Sequence, residues 1–149
     1  MTRTISENLA SAYLDACYVV HSENGGTVIR VDQVNPNLAR LMKKHGVNSA
    51  AFLTAFNPYS QPATEAENIS NQNSLLADIG ALGLKSVLGE GSDPRKIWPS
   101  ERSVLALGIS LQDAERLADR YQQNAFLWIA GDEGSVELNL RYPVERSCT

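Results

Sequence analysis

Three kinds of side chain in this sequence could do chemistry together. Amides and hydroxyls crowd one stretch: Asn57, Ser60 and Gln61 sit in a proline-broken segment, and Asn68 and Gln72 follow four residues apart. Carboxylates stand at Glu67, Glu90 and Glu101, Trp98 lies between prolines and charges, and Gln123 sits in the polar run Gln122-Gln123-Asn124. Amides bind polar groups as both donor and acceptor, a carboxylate in a cleft works as general acid, general base or hard-metal ligand, and an indole stacks on a planar ligand. The usual catalytic sets are missing. The only histidines are His21 and His45, no HExxH or GxSxG occurs, and Gly89-Glu90-Gly91-Ser92-Asp93 does not lead into the Lys-Ser/Thr helix start of a phosphate loop. No cofactor is therefore expected and no metal site is assigned.

Each candidate has a plainer reading. Glu67 three residues after Thr64 forms a capping box, Glu65 complements a helix dipole, and Trp98 could plug the core. Glu90, Asp93 and Glu101 could hold a metal through oxygen, but loops also carry acids for solubility. Asn68, Asn71 and Gln72 could pin the Asn57 loop, because buried amides demand partners.

The elements that must position these residues follow from periodicity and punctuation. Thr4 with Glu7 reads as a capping box opening a helix whose Leu9, Ala12, Tyr13 and Ala16 should cover a sheet face. Cys17 to His21 and Thr27 to Val31 flank Asn24-Gly25-Gly26 as a hairpin. Asn35-Pro36 starts a short helix bearing Leu38, Leu41 and Met42, stopped by Gly46, with Arg40, Lys43 and Lys44 near its end. Ala50 to Phe56 is a buried strand, and Thr64 caps a long helix reaching about Leu82. On that helix Asn68 and Gln72 fall within the stripe of Leu75, Ile79 and Leu82. Lys85 to Leu88 is a strand, Gly89 to Glu101 a long loop of the kind often used functionally, and Ser103 to Leu107 a strand. Ser110 with Asp113 caps a helix, Ala125 to Ala130 is a strand, and Gly131 to Gly134 turns the chain into Ser135 to Leu140.

The resulting order, α-β-β-α-β-α-β-β-α-β-β, predicts an α/β fold, with α+β as the variant, built on a single mixed sheet with helices packed on it. If the strands on either side of the long helix are parallel, the Asn57–Gln61 loop, the Gly89–Glu101 loop and Gln123 meet at one edge beyond strand carboxyl ends. The opening hairpin or the last strand should be a sheet edge, through which a homodimer could form.

Length and composition set the frame. A chain of 149 residues with 43% apolar and 20% charged residues can bury one core, so one domain over residues 1–149 is expected. The net charge of −4 supplies no positive field, which disfavours nucleic acid. Cys17 and Cys148 form no metal or redox spacing, Cys17 reads as a small core residue, and neither a secretion signal nor a membrane-length apolar run is present. The expectation is a cytoplasmic protein without membrane contact.

Thr54-Ala55-Phe56-Asn57-Pro58, Ser60-Gln61-Pro62 and Glu65-Ala66-Glu67-Asn68 together resemble the opening of the bacterial domain-of-unknown-function family numbered 3293. Gly89-Glu90-Gly91 with Asp93-Pro94 and Trp98, Leu107-Gly108-Ile109-Ser110, and Gln123-Asn124-Ala125-Phe126 continue the likeness, so a family-like core spans about 51–129. The resemblance implies one coherent unit and no particular activity, substrate or cofactor. The family's helix after Glu67-Asn68 is often basic; Ile69, Ser70 and Asn71 stand here instead, so no phosphate role is implied for that face.

The leading expectation is a non-catalytic binding module for a small polar ligand or a protein partner, with Asn57, Ser60, Gln61, Asn68, Gln72, Trp98 and Gln123 at its site. The alternative is an enzyme acting on a nucleotide-like or amide-containing small molecule through Glu67, Glu90 or Glu101. A nucleic-acid-directed accessory role would need a basic face that the sequence does not supply.

Overall fold

The computed structural model describes residues 3–22, 25–94 and 99–145. Four helices and seven strands follow the expected order: α1 (Glu7–Asp15), β1 (Cys17–Ser22), β2 (Gly25–Ile29), α2 (Pro36–Lys44), β3 (Ser49–Leu53), α3 (Glu65–Ala81), β4 (Lys85–Ser92), β5 (Glu101–Leu107), α4 (Leu111–Arg120), β6 (Ala125–Ala130) and β7 (Ser135–Leu140). Capping explains most helix starts. Asn35 accepts from Leu38 N, Thr64 from Glu67 N and Ser110 from Asp113 N, each satisfying a donor that the first turn leaves free. For α1 the cap is Ser6, which accepts from Leu9 N, and not Thr4. Ile5, just before it, forms a β-bridge with Val144, so the chain is still paired as a strand at Ile5 and turns helical only after the Ser6 cap.

The strands form one sheet in the order β2-β1-β4-β5-β3-β6-β7. A mixed sheet is expected from the sequence, yet every neighbouring strand pair is antiparallel. The reason is topological. β3 and β4 do run parallel, as the α3 crossover requires, but β5 lies between them, and β3 lies in the same way between β5 and β6. The unit β3-α3-β4-β5-α4-β6 is thus a split β-α-β pair of ferredoxin-like topology. The β1–β2 hairpin extends it on one side and β7 on the other, leaving β2 and β7 as edges.

Strand alternation divides the core into two faces. Ala51, Leu53, Val104, Ala106 and Phe126 pack against Leu75 and Ile79 of α3 and Ala114, Leu117 and Ala118 of α4. Phe52, Leu105, Leu107, Leu127, Ile129 and Val136 point the other way, toward Leu38 and Met42 of α2. Leu82, expected in the buried stripe of α3, is 45% exposed because the helix ends at Ala81 and Leu82 is its cap.

Another departure concerns glycine. Gly89 and Gly91 belong to β4, so the connection to β5 shrinks to residues 93–100. Glycine in a strand interior often marks a close approach of other atoms. A Cβ on Gly89 would lie 2.4 Å from Val19 O and 2.8 Å from the Phe52 ring.

Candidate functional site

A cavity of about 730 Å³ lies at the sheet edge where β3 and β4 end and β5 and β6 begin. That volume is within the range of small-molecule sites, roughly 300–1,000 Å³. Phe52, Gly91, Ser103, Leu127 and Leu138 contribute its floor. Leu9, Ala12, Tyr13 and Ala16 of α1 line it from above. α1 was expected to seal a sheet face; it buries no residue completely and spans a gap instead.

Both ends of α1 are fixed. At its start Ile5, 1% exposed, donates its N–H to Pro143 O at 2.8 Å and accepts from Glu145 N at 2.7 Å. At its other end the chain passes through buried Ala16 directly into β1. Between these points Tyr13 latches the helix. Its hydroxyl lies 2.7 Å from Ser60 Oγ and accepts from Asn124 Nδ2 at 3.1 Å, while its carbonyl accepts from the Tyr18 hydroxyl at 2.6 Å.

Polar groups gather at one end of the cavity and are held in a defined order. Asn68 Oδ1 accepts from Asn57 N at 2.8 Å, and Asn68 Nδ2 donates to Asn57 Oδ1 at 3.0 Å. Asn57 Oδ1 also accepts from Ala63 N, so its other amide atom, Nδ2, is the one that donates to Glu101 Oε2 at 2.8 Å. The loop these bonds secure is strained: Asn57, Tyr59 and Ser60 all have positive φ, at 47°, 57° and 60°. Non-glycine residues enter that region at a cost and persist only where their surroundings hold them. Tyr59 is held by its own N–H bond to Gln122 O and by the Arg3 guanidinium stacked on its ring.

Burial in this apolar setting pushes the Glu101 carboxyl above its ordinary range, and the Asn57 hydrogen bond offsets only part of the shift. Burial likewise raises the Tyr13 and Tyr18 hydroxyls, with the Glu101 charge adding to both. The stability consequence has a definite sign. Folding makes the carboxyl hold its proton to higher pH, so stability is lost as pH rises from the unfolded-state pKa through the folded one. Glu101→Gln keeps an acceptor for Asn57 and removes the charge. It should raise the thermal midpoint at neutral pH by roughly 2–4 °C, the shift that about 1 kcal/mol makes in a domain of this size. The gain should vanish below about pH 4, where both states are protonated. Calorimetric scans across pH check this, and equal midpoints at neutral pH would refute it.

The candidates read from the sequence divide clearly. Asn57, Ser60, Asn68, Glu101 and Gln123 line the cavity. Gln72 lies behind it, where Oε1 accepts from Ala55 N and the buried Nε2 has no partner among the described residues. Gln61 is exposed beyond the lining, and Glu67 is exposed at the start of α3, where its N–H takes the Thr64 cap. Trp98 lies outside the described residues. Glu90 and Glu101 point to opposite faces, since Glu101 pairs with Gly91, and Glu90 instead meets His21 at 3.7 Å. The idea of an oxygen-ligated metal on Glu90, Asp93 and Glu101 fails for that reason, and no cluster of three potential metal ligands occurs among the described residues.

Sequence reasoning missed Tyr13, Tyr18 and Ser103 as members of the site. Tyr13 was hidden by its place in an apolar helical stripe. A tyrosine with its ring among alanines and its hydroxyl in need of a partner is the signal that could have found it.

Residues 53–126 match the family described as "Protein of unknown function (DUF3293)", inside the stretch from which the resemblance is read. No curated protein and no solved structure matches the chain. No helix among the described residues is long and apolar enough to cross a membrane.

Proposed function

We propose that this chain, whose segment 53–126 belongs to the DUF3293 family, is a binding domain for a small molecule that lodges between α1 and the sheet. The observation that carries the reading is the cavity itself, apolar along most of its wall and polar at the Glu101 end. Ligand sites combine an apolar lining with a few placed polar groups that fix orientation. The sequence suggests a polar ligand. The lining favours one with an apolar body and a single polar head, since Leu9, Ala12, Phe52, Leu127 and Leu138 offer contact and no hydrogen bonds from their side chains.

Filling the cavity tests the idea. Ala12 lies half-buried on the inner side of α1, and Ala12→Trp would place an indole in the space the ligand needs. Neutral aromatic fragments titrated into labelled protein should shift resonances of Leu9–Ala16, Glu101–Ser103 and Gln123–Leu127. The variant should keep its fold and bind at least about tenfold more weakly. Shifts that fall elsewhere, or that survive in Ala12→Trp, would place the site away from this cavity.

One observation favours catalysis as a second reading. A carboxyl whose pKa is raised by burial is suited to general acid–base work. Recovery of every bound fragment unchanged, with none converted, counts for binding and against turnover.

A further inference from the structure

We propose that the ligand carries a cationic nitrogen, an ammonium or amidinium group on its apolar body, and presents it to the Glu101 carboxylate. This rests on the cavity being the binding site. Two carboxylates, Glu65 and Glu101, are among the described residues lining the cavity, and no lysine, arginine or histidine is among them. The titratable groups facing Glu101 are Tyr13 from α1 and Tyr18 from β1, both uncharged at neutral pH.

The hydrogen-bond order at Glu101 already favours the anion. Asn68 and Ala63 occupy Asn57 Oδ1, which leaves Asn57 Nδ2 facing the carboxylate as a donor. Turning the Asn57 amide over to accept a carboxyl proton would set two donors against its NH₂ group, so the network is built to receive Glu101 as an acceptor. Among the described residues the network brings no positive charge to Glu101. A buried carboxylate without a counter-ion is unfavourable, and a ligand that brings the charge removes the penalty while forming a charge-assisted hydrogen bond. The hydroxyls of Tyr13 and Ser60 at the same end can turn their lone pairs to further N–H groups of that ligand. Burial raises the Glu101 carboxyl above its ordinary range, and a bound cation, which favours the charged form, opposes that shift. Affinity should therefore rise with pH through the Glu101 titration.

Three probes with one body and different heads test the charge: phenethylamine, phenethyl alcohol and hydrocinnamate, titrated into the full chain and followed by NMR at the cavity resonances. The amine should bind at least about tenfold tighter than the alcohol, and the acid weakest. Glu101→Gln, shown folded by its spectrum, should bring the amine and the alcohol to similar affinity. An amine no better than the alcohol in the native protein overturns the cation proposal and leaves the cavity reading standing. A preference that persists in Glu101→Gln overturns the role of Glu101. No cavity shifts from any of the three, or equal shifts in Ala12→Trp, overturn both readings.

Discussion

Asn68→Ala is expected to lower the free energy of unfolding by about 3 kcal/mol, because it removes two hydrogen bonds from a buried site and leaves their partners unpaired. Asn68 is 6% exposed, and both its amide atoms are committed to Asn57, one to the backbone N–H and one to Oδ1. Neither orphaned group gains full access to water when Asn68 is shortened. The loss reaches further than two bonds, since Asn57 begins the run of positive-φ residues that curls the loop under Tyr13. Denaturant titration measures the effect. A midpoint equal to that of the native protein would show the loop to be held by other means and would return Asn68 to the role of a ligand contact.

The second large effect is expected at Gly89. Gly89→Ala should cost about 3 kcal/mol or more, through a clash that repacking cannot relieve. One contact is to Val19 O, which belongs to a strand paired on both sides, and the other is to the Phe52 ring, which is 4% exposed and wedged edge-on against Tyr18. Gly91→Ala is the internal control. Its added methyl meets the Tyr18 ring at 3.4 Å, an ordinary distance, so this variant should stay close to native stability. Comparable losses at both positions would mean that strand glycine as such, rather than crowding at Gly89, sets the cost.

Gly89 also shows where sequence reasoning loses its grip. Two glycines in three residues look like loop, because glycine disfavours strands when only propensity is weighed. The reasons for glycine here are the Val19 carbonyl and the Phe52 ring, 70 and 37 positions earlier, which no local window contains. The amides of α3 were legible for the opposite reason. Asn68 and Gln72 stand in a stripe continued by Leu75 and Ile79, and a polar residue on an apolar face is a local contradiction that demands a buried partner. Their partners, Asn57 N and Ala55 N, lie in the strand exit just before the helix, which is why the edge could be located at all.

Helix starts at Asn35, Thr64 and Ser110 were readable because caps are local chemistry. The antiparallel pairing was not, because it depends on which strand enters between two others. The cavity was invisible for a related reason. Leu9, Ala12, Tyr13 and Ala16 have the spacing of a packed face, and that spacing is the same whether the face touches a sheet or stands away from it. Glu101 stood beside Glu67 and Glu90 as one of three candidate acids, and only strand register separates it from Glu90.

The two sides of the cavity come from different parts of the chain. Asn57, Asn68, Glu101, Ser103, Gln123 and Asn124 all lie within the matched segment 53–126, whereas α1 and Leu138 lie outside it. In the proposed reading, the head of the ligand meets mainly residues of the matched segment and its body meets mainly residues outside it. In that reading, a graft that keeps Tyr13 and exchanges the rest of residues 3–16 for a helix of different bulk would change the preference for the body, while the choice of head group stays with Glu101 and the Asn57 amide that faces it.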